Sequence, residues 1–556
     1  MRKPKLNART LGGVLLLATV ALAVRLWGLG HAPHYDELFH VLAARSWLAD
    51  GSFCIADCLA PYDRGAFFTL LVAGSFSLLG ESLEAARVPS VVAGVLLVLA
   101  VFAWLRAEVS ARAAWTAAGL CALAPELIGW SQVARFYALQ ALFVWVGVAL
   151  FYVGVTRSEL RRGLRAAAVV GGVACLALSR QLQVTTLIPV AALGLWFLGW
   201  LFARRDRVSR RVRVSLYAAG AVIVLAGLAW QFGTLEHYWE MYRQETNLIR
   251  RPDADNPFFY HAWFAWMYSF LYALFPIAIL VAFVAARRVT VLLGTIFTVS
   301  FVAHSFGAFK ADRMILYALP FFLSVWGIAF ADLVPRLAAW VREGLARAER
   351  FAGETGTGRT TSSGPAAVVL VTAALLFAAL NTEALQATIR LLTVSGSEWS
   401  GEPWYRGHTD WEALEPTLEP LVDDADVVVS SAVLKTLYVF DRTGVSLSRT
   451  QLFDPGPVDR GEEEFWRDWR HGRPVISTPE SIERLVACYE SGLILVENGH
   501  WRRSAVVPPA TADAIEGLTN PVPLPRGARA RAFVWRSASE ALPAGTDCPS
   551  DPVLRR

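Results

Sequence analysis

Long apolar runs dominate this chain and restrict what it can fold into. Repeated stretches of about 18 to 22 residues carry few charges, and that is the length an α-helix needs to cross a bilayer. Of the 556 residues, 55% are hydrophobic and only 18% are charged. The pattern predicts a polytopic α-helical membrane protein with about eleven transmembrane helices. We place them at about 11–29, 88–106, 113–129, 138–156, 165–181, 184–203, 212–232, 263–286, 289–305, 314–334 and 366–385.

The first apolar run follows a basic tail that contains Arg2, Lys3, Lys5 and Arg9. A secretory signal peptide has the same polarity, but no clear small-x-small cleavage site precedes the acidic residues that come next. We therefore interpret this run as a retained helix. The net charge of +5 does not indicate a nucleic-acid partner, because the arginines lie in short loops between apolar runs.

The basic residues fall on alternate loops, which fixes a predicted orientation. The basic groups are the N-terminal tail and the loops near 106–112, 157–165, 204–213, 287–288 and 336–359. Positive loops face the cytoplasm. The other loops then face outward, and an odd number of spans brings the region after about residue 386 to the outer side as well. The predicted location is the inner or plasma membrane, with multiple spans.

Two adjacent carboxylates, Asp36 and Glu37, follow the first apolar run in the stretch from His31 to His40. A carboxylate at a lipid–water boundary can have a perturbed pKa and face a substrate that is itself half lipid. The alternative is a solvated acidic dipeptide at the start of a loop helix. A zinc site of the His-Glu-x-x-His kind fails, since His34 and His40 would lie about 240° apart around a helix. No metal-binding residues are predicted.

Several cations lie on the predicted outer side together with the acidic pair. Arg87, Arg135, Lys310 and Arg313 all flank predicted helix ends, and Tyr137 follows closely on Arg135. Cations at such a position can bind a phosphate and stabilise it as a leaving group. A carboxylate beside them can deprotonate an acceptor hydroxyl or amine. Each cation taken alone is also explained as an interfacial anchor.

The chain divides into four predicted parts. Residues 1–335 form a transmembrane catalytic domain, 336–365 a cytoplasmic linker, 366–385 the last transmembrane helix, and 386–556 an extracytoplasmic α/β domain. The last part has a strand–helix–strand rhythm, with strands predicted near 426–431, 474–477 and 492–496 and a helix over 479–489. The apolar stretch 65–79 is too short to span comfortably and is interpreted as an interfacial helix.

Four of the six cysteines fall on the predicted outer side, where an oxidising compartment allows them to pair. The simplest of three connectivities is Cys54 with Cys58 and Cys488 with Cys548, and free thiols are the alternative. Cys121 and Cys175 lie in predicted helices and are expected to be small core residues.

Four sequence pieces resemble the GT-C superfamily of polyprenyl-phosphate-sugar-dependent glycosyltransferases. They are Tyr35-Asp36-Glu37, Ala86-Arg87-Val88-Pro89-Ser90 with Gly94, Ala134-Arg135-Phe136-Tyr137-Ala138-Leu139, and Lys310-Ala311-Asp312-Arg313 before Tyr317. The resemblance extends over roughly residues 10–335. The chain is most similar to the branch that contains protein O-mannosyltransferases and the lipid A aminoarabinose transferase. It departs from that branch at Met314, which follows Arg313 where an Arg-Tyr pair is usual.

The resemblance implies an inverting transfer of a sugar from a polyprenyl-phosphate donor on the outer membrane face. It implies Asp36 as the catalytic base and Glu37 as a substrate-positioning acid. It further implies that Arg87, Lys310 and Arg313 contact the phosphate, with Arg135 and Tyr137 also in the substrate site. The implied partners are the lipid-linked donor, the bilayer, and an acceptor that is a protein, lipid or glycan. No definite cofactor is implied, and a divalent cation stays open.

A transporter or flippase for a lipid-linked sugar is the main competing function, because it too needs cations that recognise a phosphate. Such a protein is expected to carry polar residues or helix breaks near the middle of several spans. Here the charges concentrate at one face, which favours chemistry at the interface. A receptor with a membrane anchor does not explain so many apolar runs.

The predicted topology is tested by cysteine accessibility. Single cysteines in place of Asp63 and Glu402 are expected to react with an impermeant reagent in intact cells, because both positions fall on the predicted outer side. Labelling of either position only after the inner membrane is permeabilised would contradict the arrangement.

Overall fold

The computed structural model describes residues 8–55, 58–204, 214, 256–307, 310–354, 382–394, 408–449, 464–468, 470–504 and 506–536. The first part of the chain is a helical bundle. Its helices are α1 (Ala8–Leu26), α2 (Tyr35–Asp50), α3 (Ala66–Leu79), α4 (Leu83–Glu108), α5 (Ala111–Leu123), α6 (Pro125–Gly129), α7 (Tyr137–Thr156), α8 (Arg162–Leu182) and α9 (Leu187–Ala203). They continue with α10 (Phe259–Met267), α11 (Ser269–Ala273), α12 (Phe275–Phe306), α13 (Asp312–Ile315), α14 (Leu319–Glu354) and α15 (Glu383–Thr393).

Seven helices among the described residues are long and apolar enough to cross a membrane. They are Ala8–Leu26, Leu83–Glu108, Tyr137–Thr156, Arg162–Leu182, Val184–Ala203, Phe275–Phe306 and Asp312–Gly344. The predicted helix at 212–232 lies outside the described residues apart from residue 214, and most of the one at 366–385 lies outside them too. The stretch 113–129 is not one span, because Pro125 ends it: Ala124 before the proline is extended, and α5 has only 13 residues. The count of about eleven is therefore not confirmed.

Helix α12 is two antiparallel halves rather than one straight rod. Ala286 has non-helical backbone angles, φ −150° and ψ 58°. The rings of Phe275 and Phe297 have their centroids 5.0 Å apart, whereas the same residues in a straight helix would be separated by about 33 Å. The chain thus reverses at Ala286, between the two helices predicted at 263–286 and 289–305.

The last part of the described chain contains a seven-stranded mixed sheet, as the strand–helix–strand rhythm indicated. A short antiparallel pair in the loop after α2, β1 (Cys54–Ile55) and β2 (Ala60–Pro61), precedes it in the chain. The sheet is built from β3 (Val427–Ser430), β4 (Val445–Leu447), β5 (Trp466–Arg467), β6 (Pro474–Ile476), β7 (Ser491–Glu497), β8 (Asn520–Val522) and β9 (Ala530–Arg536). Its helices are α16 (Glu415–Asp423), α17 (Val433–Phe440), α18 (Pro479–Cys488) and α19 (Pro509–Leu518).

The strand order is β5-β6-β4-β3-β7-β9-β8, with β6, β4, β3 and β7 mutually parallel. The central strands are buried along their whole length, and two apolar layers cover them. The chain leaves β3 towards β4 on one side and later returns to β7 on the other. The carboxyl ends of β3 and β7 therefore form a topological switch point, which is where open α/β sheets bind ligands.

The sheet-containing region packs directly on the helical bundle through α17 and α2. Val433, Leu434 and Leu437 of α17 belong to the same hydrophobic core as the bundle. Arg45 of α2 donates a hydrogen bond to the carbonyl of Tyr438 at 3.2 Å and lies over its ring at 4.6 Å. The region is thus held against the helix that begins with the acidic pair.

The disulfides follow the predicted pattern as far as the described residues reach. Cys54 is bonded to Cys58, which closes the loop between β1 and β2. Cys488 is also disulfide-bonded, and its predicted partner Cys548 lies outside the described residues. Cys121 and Cys175 carry free thiols.

A second contact between the two parts generates a stability prediction. Gly472 has φ +71°, and a Cβ there would lie 2.4 Å from the Cβ of Leu59. We expect Gly472→Ala to lower the thermal midpoint of the purified protein, since a clash with backbone and Cβ costs about 1–3 kcal/mol. Gly527→Ala is the matched control, because Gly527 also has a positive φ but no heavy atom within 4 Å. Equal midpoints for the two variants would contradict this contact.

Candidate active site

The acidic pair lies in the first turn of α2, where the helix end itself favours negative charge. His34 caps this helix: its Nδ1 accepts a hydrogen bond from the backbone N–H of Asp36 at 3.0 Å. Its own N–H donates to Oε1 of Glu37 at 2.7 Å. This reciprocal capping fixes the backbone on both sides of Asp36.

Glu37 is fully buried and paired with Arg87 of α4. Nη2 and Nε of Arg87 donate to the two carboxylate oxygens at 2.6 and 3.0 Å. Arg87 also donates to the carbonyl of His31 at 2.9 Å and to that of Leu29. Burial raises the pKa of the Glu37 carboxyl, but the charge and hydrogen bonds of Arg87, with the N–H groups of Ala134 and His34, outweigh it and lower the pKa.

The pairing involves two residues for which the sequence predicted substrate roles. Arg87 was expected to contact the donor phosphate and Glu37 to position the substrate, yet the two bind each other, and neither lines the cavity described below. A position at a helix end carries no information on which way the side chain of Arg87 turns. The Glu37–Arg87 ion pair, called the brace below, holds the residue next to Asp36 in place.

The segment before α7 is buried and bonded to the same brace. The N–H of Ala134 donates to Oε2 of Glu37 at 2.8 Å. Arg135, 3% exposed, donates from Nη1 to the hydroxyl of Tyr62 at 2.7 Å and lies over the ring of Phe136. Tyr137 is equally buried. Arg135 and Tyr137 thus lie behind the cavity wall rather than on it.

The loop that leads into α13 is anchored at Ala311 and Asp312, the two residues between Lys310 and Arg313. The carbonyl of Ala311 accepts a hydrogen bond from the Tyr260 hydroxyl at 2.9 Å. The carboxylate of Asp312 accepts one from the indole Nε1 of Trp130 at 2.9 Å. These bonds hold the backbone around Arg313. Lys310 donates to the carbonyl of Ser305 at 3.0 Å.

Asp36, Lys310 and Arg313 meet at one cavity of about 400 Å³. Nη2 of Arg313 lies 3.6 Å from Oδ2 of Asp36, which is an ionic contact across the cavity rather than a hydrogen bond. The lining residues combine these charged groups with aromatic rings and two imidazoles. They are His34, Tyr35, Asp36, Phe259, Trp263, Lys310, Ala311, Asp312, Arg313 and His408.

Asp36 is ionised in this environment. Burial raises its pKa, but the guanidinium groups of Arg135, Arg313 and Arg64 and the nearby His34 ring lower it by more, so the net pKa lies well below the usual value. A carboxylate that is already deprotonated can accept a proton directly. An anion bound at Arg313 would weaken the attraction of Arg313 for the Asp36 carboxylate and make Asp36 a stronger base.

The sequence missed part of this site. His34 was noted only in the context of zinc, and its capping role became visible with the start of α2. Trp130 and Tyr260, which hold the Lys310–Arg313 loop, had no recognisable motif. His408 comes from beyond the bundle, and no residue pattern linked it to Asp36.

Within the described residues, no group of three or more His, Cys, Asp or Glu side chains is arranged to hold a metal ion.

No protein-family model matches the chain, and no curated protein is similar to it in sequence. Its fold, in contrast, is shared with solved structures. ArnT from Cupriavidus metallidurans in the apo state superposes with a TM-score of 0.61 at 15% sequence identity, covering 95% of this chain and 98% of ArnT. The same protein bound to undecaprenyl phosphate gives a TM-score of 0.59 at 16% identity, covering 97% and 99% of the two chains.

The apo oligosaccharyltransferase from Archaeoglobus fulgidus is a more distant neighbour. It gives a TM-score of 0.50 at 14% identity and covers 78% of this chain and 64% of its own. Both neighbours are members of the GT-C superfamily. The chain therefore shares its fold with these glycosyltransferase structures, as the resemblance implied.

The brace under Asp36 is tested by stability. Arg87→Leu is expected to cost about 3–5 kcal/mol, because it leaves the carboxylate of Glu37 buried without its partner. Arg336→Leu is the matched control, since it removes an exposed ionic contact with Asp332 worth at most about 1 kcal/mol. Denaturant unfolding in detergent compares them. If Arg87→Leu is no less stable than the control, the pair is not a brace.

Proposed function

We propose that this chain is an integral membrane glycosyltransferase. It moves a sugar from a polyprenyl-phosphate-linked donor to an acceptor on the outer face of the membrane, with inversion. The observation that carries the proposal is the convergence of Asp36, Lys310 and Arg313 on one cavity. Two cations and an ionised carboxylate that line one cavity match a leaving phosphate and a base.

The donor phosphate lies between Lys310 and Arg313. Arg313 has a planar guanidinium that forms two hydrogen bonds with one phosphate, and Lys310 adds a second charge. Negative charge grows on the phosphate oxygen as the sugar–phosphate bond breaks, so these contacts strengthen in the transition state. The rings of Phe259 and Trp263 supply an apolar wall beside the cations for the first isoprene units of the lipid.

Asp36 is the general base. The acceptor oxygen or nitrogen attacks the anomeric carbon from the side opposite the phosphate, and its proton passes to the Asp36 carboxylate. The bond between the anomeric carbon and the phosphate oxygen breaks, and polyprenyl phosphate leaves. A single displacement of this kind inverts the anomeric configuration, and it needs the ionised form of Asp36.

The fold supports the same class of donor. ArnT, which shares this fold over nearly its whole length, has been crystallised with undecaprenyl phosphate. We infer that the present chain binds a related lipid phosphate that carries a hexosyl or a pentosyl group. It transfers that sugar to a protein, lipid or glycan. The active site and the sheet-containing domain then face the extracytoplasmic side of the cell membrane. Glu37, Arg87, Arg135 and Tyr137 act from behind the cavity wall by holding and polarising Asp36.

The base is tested with Asp36→Asn. Purified protein is incubated with radiolabelled polyprenyl-phosphate sugars and a membrane extract, and labelled product is counted. Loss of a general base is expected to lower turnover about 10²–10⁴-fold while binding of the lipid phosphate persists. Near-normal turnover would remove Asp36 from this role. Translocation of intact donor, with no cleavage by the wild-type protein, would favour a flippase.

The phosphate contacts are tested with Lys310→Ala and Arg313→Ala in the same assay. Each is expected to lower turnover and to weaken donor binding, because a charge-assisted hydrogen bond contributes about 1.5–3 kcal/mol. Arg161→Ala, an exposed arginine on a predicted cytoplasmic loop, is the matched control. Equal losses in all three variants would mean that the arginines and lysine act only as topological anchors.

A further inference from the structure

The sheet-containing region contributes a side chain to the cavity that holds Asp36. His408 lies on the cavity wall, and its ring centroid is 5.4 Å from that of His34 in an edge-to-face contact. His34 in turn accepts the hydrogen bond from the N–H of Asp36. His408 therefore contacts the side chain that is hydrogen-bonded to the backbone of Asp36, the proposed base.

His408 is held in place by its immediate neighbours. The hydroxyl of Thr409 donates to the carbonyl of Arg529 at 3.0 Å. The indole of Trp411, which is fully buried, donates to Oε1 of Glu497 at 3.3 Å. Both acceptors belong to the sheet region, Glu497 at the end of β7 and Arg529 just before β9. These hydrogen bonds, made by Thr409 and Trp411, fix the backbone that carries His408.

Glu497 lies at the topological switch point of the sheet. It forms a buried ion pair with Lys435 of α17 at 2.9 Å. Ser431, directly after β3, accepts a hydrogen bond from the N–H of Glu497 at 3.0 Å and shares one with Nδ1 of His500 at 3.1 Å. Lys435 and His500, which lie at this edge of the sheet, are close enough to His408 to influence its charge, so the switch point lies near the cavity in the bundle.

The two sides of the cavity differ in charge. Lys310 and Arg313 make one side cationic. On the other, burial lowers the pKa of His408 to about 2, with Lys435, His34 and His500 contributing in the same direction. Burial likewise lowers the pKa of His34 to about 4, although Asp36 and Glu37 oppose it. Both imidazoles are uncharged at neutral pH, so this side suits hydrogen bonding to an uncharged group rather than neutralising an ion.

We propose that His408 is an acceptor-positioning residue, through which the sheet-containing domain completes the active site and orients an uncharged O–H or N–H group of the acceptor towards Asp36. The cationic side then receives the donor phosphate and the imidazole side the acceptor. This inference rests on the proposed glycosyltransferase function. It assigns the extramembrane domain a direct part in acceptor selection.

The test separates acceptor use from donor use. The full-length protein is given a radiolabelled polyprenyl-phosphate sugar that it cleaves, with and without the membrane extract. Transfer to the extract and release of free sugar to water are measured in the same reaction. His408→Ala is expected to lower transfer about 10²-fold, the effect of a misplaced reacting group. Release of sugar to water and KM for the donor are expected to stay unchanged.

Two further variants separate chemistry from folding. His408→Phe keeps an aromatic ring against His34 but cannot hydrogen-bond, so it is expected to behave like His408→Ala. His408→Gln restores a donor and an acceptor and is expected to recover part of the transfer. Arg502→Ala, an exposed residue of the same domain, is the control, and it is expected to leave both rates unchanged.

The outcomes are distinct. If the wild-type protein neither transfers nor releases sugar from any donor, the proposed function fails. If the wild-type protein transfers sugar and His408→Phe does so equally well, the role of His408 is wrong. A parallel loss of transfer and release in His408→Phe would also overturn it, because His408 would then serve the donor side or the fold.

Discussion

The buried ion pair between Glu37 and Arg87 is the interaction on which the site depends. It joins the start of α2 to α4, and through further hydrogen bonds it ties in the chain after α1 and the N–H of Ala134. Burying two charges is costly, and it is tolerated here because both groups are hydrogen-bonded throughout. The position of Asp36 follows from this arrangement, because the adjacent Glu37 cannot move without breaking its ion pair with Arg87. A base held in this way needs little reorganisation during the reaction.

Helix α2 has two structural roles. Its first turn presents Asp36 to the cavity, and its length receives α17 of the sheet-containing region. The position of that region is therefore coupled to the position of the proposed base. The buried Lys435–Glu497 pair extends the same coupling into the sheet, where it anchors the segment that carries His408. One helix thus links the proposed donor site to the proposed acceptor-positioning side chain.

The sequence predicted helices and strands, which depend on local periodicity. It did not predict which partner a buried side chain such as Arg87 binds. Apolar runs located α1, α4, α7, α8 and α9 to within about five residues, and short apolar runs in a strand–helix–strand rhythm found β3, β6 and β7. Asp36, Lys310 and Arg313 were predicted together because they flank helix ends on one side, and they share the cavity. Arg87 satisfied the same criterion, but a position at a helix end does not reveal that its guanidinium turns inward to Glu37. His408 was out of reach because its contact with His34 spans most of the chain and is set by how the sheet docks.

The most direct measurement is a cryo-electron microscopy structure of the full chain with a bound polyprenyl phosphate. The account predicts the phosphate within about 3 Å of the Lys310 ammonium and the Arg313 guanidinium. Asp36 is then expected to border the same space, with the Glu37–Arg87 pair intact. A phosphate bound by Arg87 with that pair broken, or one bound away from Lys310 and Arg313, would contradict it.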